Sequence, residues 1–436
     1  MKIPKLSRKM IDRPAAVGRA KPFAFAVITV AAVFLIVSSS HTAISEVSLL
    51  SLPFNGAASD RQEARKPEFL IRPSAVRSLQ LQFIREEFGE ADDEDDPEDS
   101  SSYPLVPPLN VTEEERIRWL RENLVNFDIL KSDNQTRKFH SRVARFLGQG
   151  CSLQFFMTWI SPASSFGSRE LLGVESLFRA HPDGCLVIVS RTMDSRRGRK
   201  ILKPVTDLGF KVLAATPDLP QLLRMTPAKA WFDELRKGNK DPGEIPLAQN
   251  LSNLIRLAIL YRYGGVYLDT DFIILKDISS LRNCIGAQSV DTASGKWTRL
   301  NNAAMVFDRH HPLLHKFIQE FALTFDGNKW GHNGPYLVSR VVERVKSRIG
   351  YRGKFSVMPP MAFYPVGWTH IGSLFKSPES RGDARWVEAK IAQLSEDTYG
   401  VHLWNKQSRG LRIEEGSVMA RLTSGNCVVC HSIYSS

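Results

Sequence analysis

Asp269 and Asp271 stand two residues apart in an otherwise apolar stretch, with Val266-Tyr267-Leu268 before them and Phe272-Ile273-Ile274-Leu275 after. Burying an uncompensated carboxylate costs several kcal/mol, so a pair held among apolar residues needs a cation. Hard oxygen ligands suit Mg2+ or Mn2+, ions that are often shared with substrate phosphates. A strand end carrying two solvated aspartates would avoid that need, but the apolar flanks argue against it.

The elements around the pair follow from the apolar pattern. Leu251, Leu254, Ile255, Ala258, Ile259 and Arg262 recur with a helical period, and Gly264-Gly265 ends that helix. Val266–Leu268 then begins a strand, which Phe272–Leu275 resumes, so that Asp269 and Asp271 face one side of it. Upstream, Leu153–Trp159, Cys185–Ser190 and Phe210–Ala215 read as buried strands, and Ser168–Arg179 as an amphipathic helix. Alternating strands and helices predict an α/β domain with a mostly parallel sheet covered on both faces. Ligands bind beyond the carboxyl ends of such strands. The cluster Arg196, Arg197, Arg199 and Lys200 reads as a solvated helix start or a phosphate-facing patch.

The 436 residues predict two or three structural units. Residues 1–21 carry seven basic side chains against Asp12, and 22–40 is an uncharged, mostly apolar run just long enough to span a bilayer. By the positive-inside rule this is a signal-anchor with a cytoplasmic tail at 1–21 and a translocated remainder; the other reading is a cleaved signal peptide. Residues 41–145 are rich in Pro, Ser and charge, with ten acids and no base between Glu86 and Asp99, and read as a flexible stem. Within it a short helix is expected near Glu113–Val125, with Thr112 as its N-cap. Residues 146–436 read as the folded domain, in two parts at about 150–300 and about 300–436. Sequons at Asn110 and Asn134 offer glycosylation sites in a lumenal chain; a third, at Asn250, opens a helix and is expected to be masked.

The five cysteines leave at least one thiol unpaired within the chain or paired with another chain. Cys427-Val428-Val429-Cys430-His431 matches the c-type haem attachment pattern. Nothing around it supplies a haem domain, so a disulfide or buried thiols fit better. The net charge of +12 raises nucleic acid as a partner, but translocation and the absence of a recognised motif argue for no nucleic acid.

Tyr-Arg-Tyr-Gly-Gly-Val-Tyr-Leu followed by Asp269-Thr270-Asp271 resembles the DxD site of nucleotide-sugar-dependent glycosyltransferases with the type-A (GT-A, Rossmann-like) fold. Leu300-Asn301-Asn302-Ala303, Trp330-Gly331-His332-Asn333-Gly334-Pro335, Phe363-Tyr364-Pro365 and His402-Leu403-Trp404-Asn405-Lys406 follow in order. They narrow the resemblance, over roughly 150–435, to the alpha-1,4-glycosyltransferase family, which includes lactosylceramide 4-alpha-galactosyltransferase. The resemblance implies a retaining transferase that moves a hexose, such as galactose, from a UDP-sugar to a glycan or glycolipid (glycosphingolipid) acceptor, with Mn2+ or Mg2+ as cofactor. It also implies a single-pass type II Golgi glycoprotein.

The implied roles fall on individual residues. Asp271 would bind the metal, and Asp269 the metal or the donor ribose and sugar. His402 would be a late metal ligand; a packed strand histidine is the other reading. Arg256 and Asn253 would approach the donor, although Asn253 stands where some relatives carry Asp. Trp404 and Lys406 would close over the diphosphate. Asn302, His332, Asn333 and Gly334 would line the donor sugar and the acceptor, and Tyr364 and Trp368 could stack on a sugar. Trp330 fits a core aromatic equally well. No carboxylate stands out as a catalytic nucleophile. A non-catalytic lumenal glycan-binding or scaffold protein on the same fold is the competing reading.

Overall fold

The computed structural model describes residues 106–347 and 354–430. The tail, the 22–40 run and the acidic segment lie outside the described residues. Among the described residues no helix is long and apolar enough to cross a membrane.

The domain is built on a seven-stranded sheet of order β3-β2-β1-β4-β7-β6-β8. Its strands are β1 (Gln154–Thr158), β2 (Cys185–Val189), β3 (Lys211–Ala215), β4 (Gly265–Leu268), β6 (Cys284–Val290), β7 (Trp297–Phe307) and β8 (Ser356–Met358). The β3-β2-β1-β4 run and the β6–β8 pair are parallel, while β7 runs antiparallel to both β4 and β6. The expected mixed α/β, mostly parallel sheet is therefore present.

Side chains alternate across this sheet. Phe156, Val187, Val189 and Tyr267 enter one apolar cluster with the Leu247–Tyr263 helix. Phe155, Met157, Leu186, Ile188, Val266 and Leu268 enter another with the Ser168–Ala180 helix. The period of two therefore buries both faces. Losing a ring such as Phe155 or Phe156 from cores packed this tightly would cost about 3–5 kcal/mol. Arg196 opens the Arg196–Asp207 helix behind the N-cap Ser195, so the basic cluster is a helix start.

Two features differ from the sequence expectation. Phe272–Ile274 (β5) does not resume β4. It leaves the large sheet and pairs antiparallel with Gly400–His402 (β9) in a second, two-stranded sheet. Asp269 and Asp271 thus lie in the turn between the two sheets rather than along one strand.

The second difference concerns 106–145, the described part of the expected stem. Thr112 caps the Glu113–Asn123 helix in a capping box with Glu115, as expected. That helix and the following segment then join the domain. Leu120, Phe127, Ile129, Leu130, Phe139 and Val143 are buried in the first core cluster. Arg116 grips Asp241 through two hydrogen bonds of 2.8 and 2.7 Å, and Arg142 grips Asp194 through two of 2.6 and 2.8 Å.

Disulfides join Cys151 to Cys185 and Cys427 to Cys430. Cys284 is a buried thiol, its pKa pushed up to about 12 by that burial. Asn110 and Asn134 are exposed, whereas Asn250 is buried, so the third sequon is masked.

Candidate active site

Three elements deliver the site. Asp269 and Asp271 come from the β4–β5 turn, His402 from the end of β9, and Arg256 from the Leu247–Tyr263 helix. Pairing of Phe272 with His402 across the small sheet carries the histidine to the aspartates from about 130 residues away. One ligand atom from each of Asp269, Asp271 and His402 lies within 4.8 Å of the other two. His402 Nε2 is 3.2 Å from Asp271 Oδ1 and 4.0 Å from Asp269 Oδ2. Two carboxylate oxygens and an imidazole nitrogen form a donor set that fits Mn2+ or Mg2+.

The two carboxylates are held differently. Asp269 Oδ2 accepts from Arg256 Nη1 at 3.2 Å, and Oδ1 accepts from the Tyr267 hydroxyl at 2.9 Å and lies 3.0 Å from Arg256 Nη2. Tyr267 is fixed in turn by Thr158, 2.6 Å away. Arg256 also donates to the Asn302 carbonyl and to Ser252, so it braces Asp269 rather than reaching freely toward a donor. Burial, helped by the neighbouring Asp271 charge, raises the Asp269 pKa above the ordinary range against the pull of Arg256 and His402.

Asp271 is 7% exposed. Burial alone would raise its pKa, but His402 and the Asn405 amide hold it below the usual range. For His402 burial favours the neutral ring, and Asp271 and Asp269 outweigh it, so its pKa is raised. His402 Nδ1 is buried without a partner.

These residues line a cleft of about 760 Å³ together with Asn253, Asn302, Trp404 and Lys406. Asn302 Nδ2 donates to Asn253 Oδ1 at 2.9 Å. A Cβ on Gly334 would come within 2.7 Å of that same Asn253 oxygen, so the glycine permits the pair. Lys406 lies 3.4 Å from the Trp330 ring centroid, joining the two sides of the mouth. Trp330 and Trp368 are about half exposed and line the cleft, so Trp330 is not a core aromatic.

Three expected sugar contacts do not reach the cleft. His332 Nε2 lies 2.7 Å from the Thr324 carbonyl. Asn333 is buried and binds Asn250, the Asp326 carbonyl and the Asp326 amide. Both side chains satisfy the backbone of their own tight loop. Tyr364 is buried beneath the site, accepting from the Ala304 amide and packing its ring 5.9 Å from that of His402. Sequence reasoning did not single out Tyr267, Tyr336, Arg299 or Glu170, which shape or support the cleft. Position i−2 from Asp269 was a signal for Tyr267, since it shares a strand face with the aspartate.

Glu175, Cys427 and Cys430 also cluster, but not as a metal site. The cysteines are bonded to each other, and Glu175 Oε2 accepts the amides of Val428, Val429 and Cys430 at 2.8, 2.8 and 3.0 Å. The haem pattern is thus a disulfide loop seated on a buried carboxylate.

A mixed α/β scaffold with a DxD turn at the carboxyl end of a central strand defines a sugar-transferring class of protein. Residues 167–291 match the glycosyltransferase sugar-binding region containing the DXD motif, and 306–434 match the alpha 1,4-glycosyltransferase conserved region. The chain is 33% identical to lactosylceramide 4-alpha-galactosyltransferase of Mus musculus, over 60% of this chain and 70% of that protein. It is 27% identical to alpha-1,4-N-acetylglucosaminyltransferase of Homo sapiens, over 46% and 54%. An uncharacterized protein of Arabidopsis thaliana is 34% identical over 66% of this chain, and the match spans 44% of that protein's length. The chain belongs to the alpha-1,4-glycosyltransferase family.

Proposed function

We propose that this chain transfers a hexose, such as galactose, from a UDP-sugar to a glycan or glycolipid acceptor with retention at the anomeric carbon, using Mn2+ or Mg2+. The observation that carries the reading is the convergence of Asp269, Asp271 and His402 at one end of a large cleft. A divalent ion held by Asp271 and His402, with Asp269 beside it, would supply positive charge to offset the leaving diphosphate.

The chain's own residues do the rest. Arg256 and Tyr267 fix the orientation of Asp269, and the Asn405 amide fixes that of Asp271. Lys406 offers a second cation at the mouth, and Trp404 closes the floor by donating its indole N–H to the Val366 carbonyl at 2.9 Å. The acidic residues of the cleft lining are Asp269 and Asp271, both already engaged. This favours attack by the acceptor hydroxyl on the face that UDP leaves. The anomeric C–O bond to UDP breaks, the new C–O bond forms, and the acceptor proton passes to the departing phosphate oxygen.

The reading includes a type II Golgi membrane protein anchored by residues 22–40, with the domain lumenal. Two disulfides suit an oxidising compartment. Protease protection in microsomes tests the topology; digestion of the domain in intact vesicles overturns it.

The chemical test is calorimetric titration of UDP into the full chain with and without Mn2+, beside Asp271→Ala. Mn2+-dependent binding that the variant loses supports the reading. A folded wild-type chain that binds no UDP overturns it and leaves the non-catalytic glycan-binding scaffold in first place.

A further inference from the structure

The two aspartates account for only part of the cleft wall. Its lining includes exposed aromatic rings, Trp330, Tyr336 and Trp368 at 51%, 41% and 49% exposure, and the cation Arg299. Exposed rings of this size in a concave site are unusual for a soluble surface and suit the apolar face of a pyranose. The arrangement is built. Gly331, at φ +73°, brings its backbone under Tyr336, where a Cβ would lie 3.1 Å from the ring. The Arg299 guanidinium stacks on the Tyr336 ring, 4.2 Å from its centroid.

Stacking uses the face of a guanidinium and leaves its N–H fork in the plane unspent. No carboxylate of the described residues lies within ion-pair distance of Arg299, whereas Arg256 in the same cleft is paired with Asp269. Arg299 is also displaced from the metal end. It lies four residues along β7 from Ala303, whose carbonyl accepts the Asp269 amide. At about 3.3 Å per residue its backbone is roughly 13 Å along the strand from that point. A half-buried cation with unspent donors, in a cleft lined by exposed aromatic rings, is a receptor for an anion carried on a sugar.

We propose that this arm of the cleft is the acceptor subsite and that it selects an acidic glycan, with Arg299 holding a carboxylate or phosphate and Trp330, Tyr336 and Trp368 holding the rings. The assignment rests on the transferase reading for its link to catalysis, but the subsite's binding preference does not depend on it.

The test compares methyl glucuronide with methyl glucoside, which differ by the carboxylate, and includes glucose 6-phosphate as the phosphate arm. Binding to the full chain is measured by ligand-observed NMR, with and without UDP and Mn2+. A charge-assisted bidentate contact predicts at least about a tenfold preference for an acidic ligand over the glucoside. Arg299→Gln abolishes that preference and Arg299→Lys keeps only part of it, both with UDP·Mn2+ affinity unchanged. The tighter of the glucuronide and the phosphate ester identifies the anion.

Equal binding of acidic and neutral ligands overturns the proposal, as does binding of none of them or a preference that survives Arg299→Gln. Loss of UDP·Mn2+ binding in Arg299→Gln would also overturn it, by moving Arg299 to the donor. Failure of the wild-type chain to bind UDP·Mn2+ counts against the transferase reading instead, and the comparison without nucleotide still decides the role of Arg299.

Discussion

The backbone amide of Asn405 donates to Asp271 Oδ2 at 2.8 Å, leaving Oδ1 to face His402. Trp404, at φ 54° and ψ 57° in the left-handed region, turns the chain so that this amide points into the site. The Asn405 side chain is tied back to the buried Glu170 at 3.2 Å. Which oxygen of Asp271 is left to face His402 is therefore chosen by a neighbouring backbone.

Asp271→Asn keeps an acceptor for that amide and removes the charge. We expect Mn2+-dependent UDP binding to fall at least about a hundredfold, with some loss of stability in metal-free protein because His402 and the Asn405 amide favour the ionised carboxylate. Calorimetry and urea unfolding check both halves. Retained Mn2+ dependence would remove Asp271 from the ligand set.

Arg256→Ala leaves Asp269 without its main counter-charge. Breaking a buried pair costs about 3–5 kcal/mol, and the lower end applies because the Asp269 side chain is one-quarter exposed. The double variant Arg256→Met with Asp269→Asn should recover most of that stability without recovering UDP binding. Unfolding midpoints of the three proteins measure this.

The pH response follows from the directions of the shifts. Asp269 and His402 both hold protons more tightly folded than unfolded. A raised pKa contributes stability that is complete below the unfolded value and is lost as pH rises through the folded one. For His402 that loss begins above about pH 6.5. In metal-free protein the stability contributed by His402 is thus expected to fall as pH rises from about 6.5 toward 8, and Mn2+, which competes with those protons, should offset that loss. Melting temperatures in EDTA and in Mn2+ test it, and His402→Gln should flatten the upper part of the metal-free curve. A wild-type metal-free curve that falls no more steeply above about pH 6.5 than that of His402→Gln would contradict the prediction.

The Cys151–Cys185 bridge closes a separation of 34 residues between the start of β1 and β2. Loop-closure entropy predicts that replacing both cysteines by alanine costs about 3–4 kcal/mol. Urea unfolding of the double variant reads the loss directly. A change under about 1 kcal/mol would indicate that β1–β2 pairing is already restricted in the unfolded chain.

The sequence carried β1, β2, β3 and the 247–263 helix because each is a local apolar pattern, and it carried the aspartates because charges interrupt one. The departure of Phe272–Ile274 into a second sheet was not readable from its own residues, since its partner is His402, far along the chain. His332 and Asn333 looked like ligands for the same reason that they are not. Polar side chains in a tight turn serve its backbone first. The 113–145 segment looked like stem because charge is common in it and its apolar periodicity is weak. Leu120 is held there largely by the helix that Thr112 starts, and Arg116 by an aspartate 125 residues later.

That last segment sets where the molecule can be cut. A cleavage or expression boundary after Leu147 would strip Leu120, Phe139 and Val143 from the core and leave Asp241 and Asp194 without their arginines. A boundary ahead of the Thr112 cap would keep all of them. A secreted form, should a protease release one, must begin ahead of Thr112, and peptide mapping of its first residue would show it.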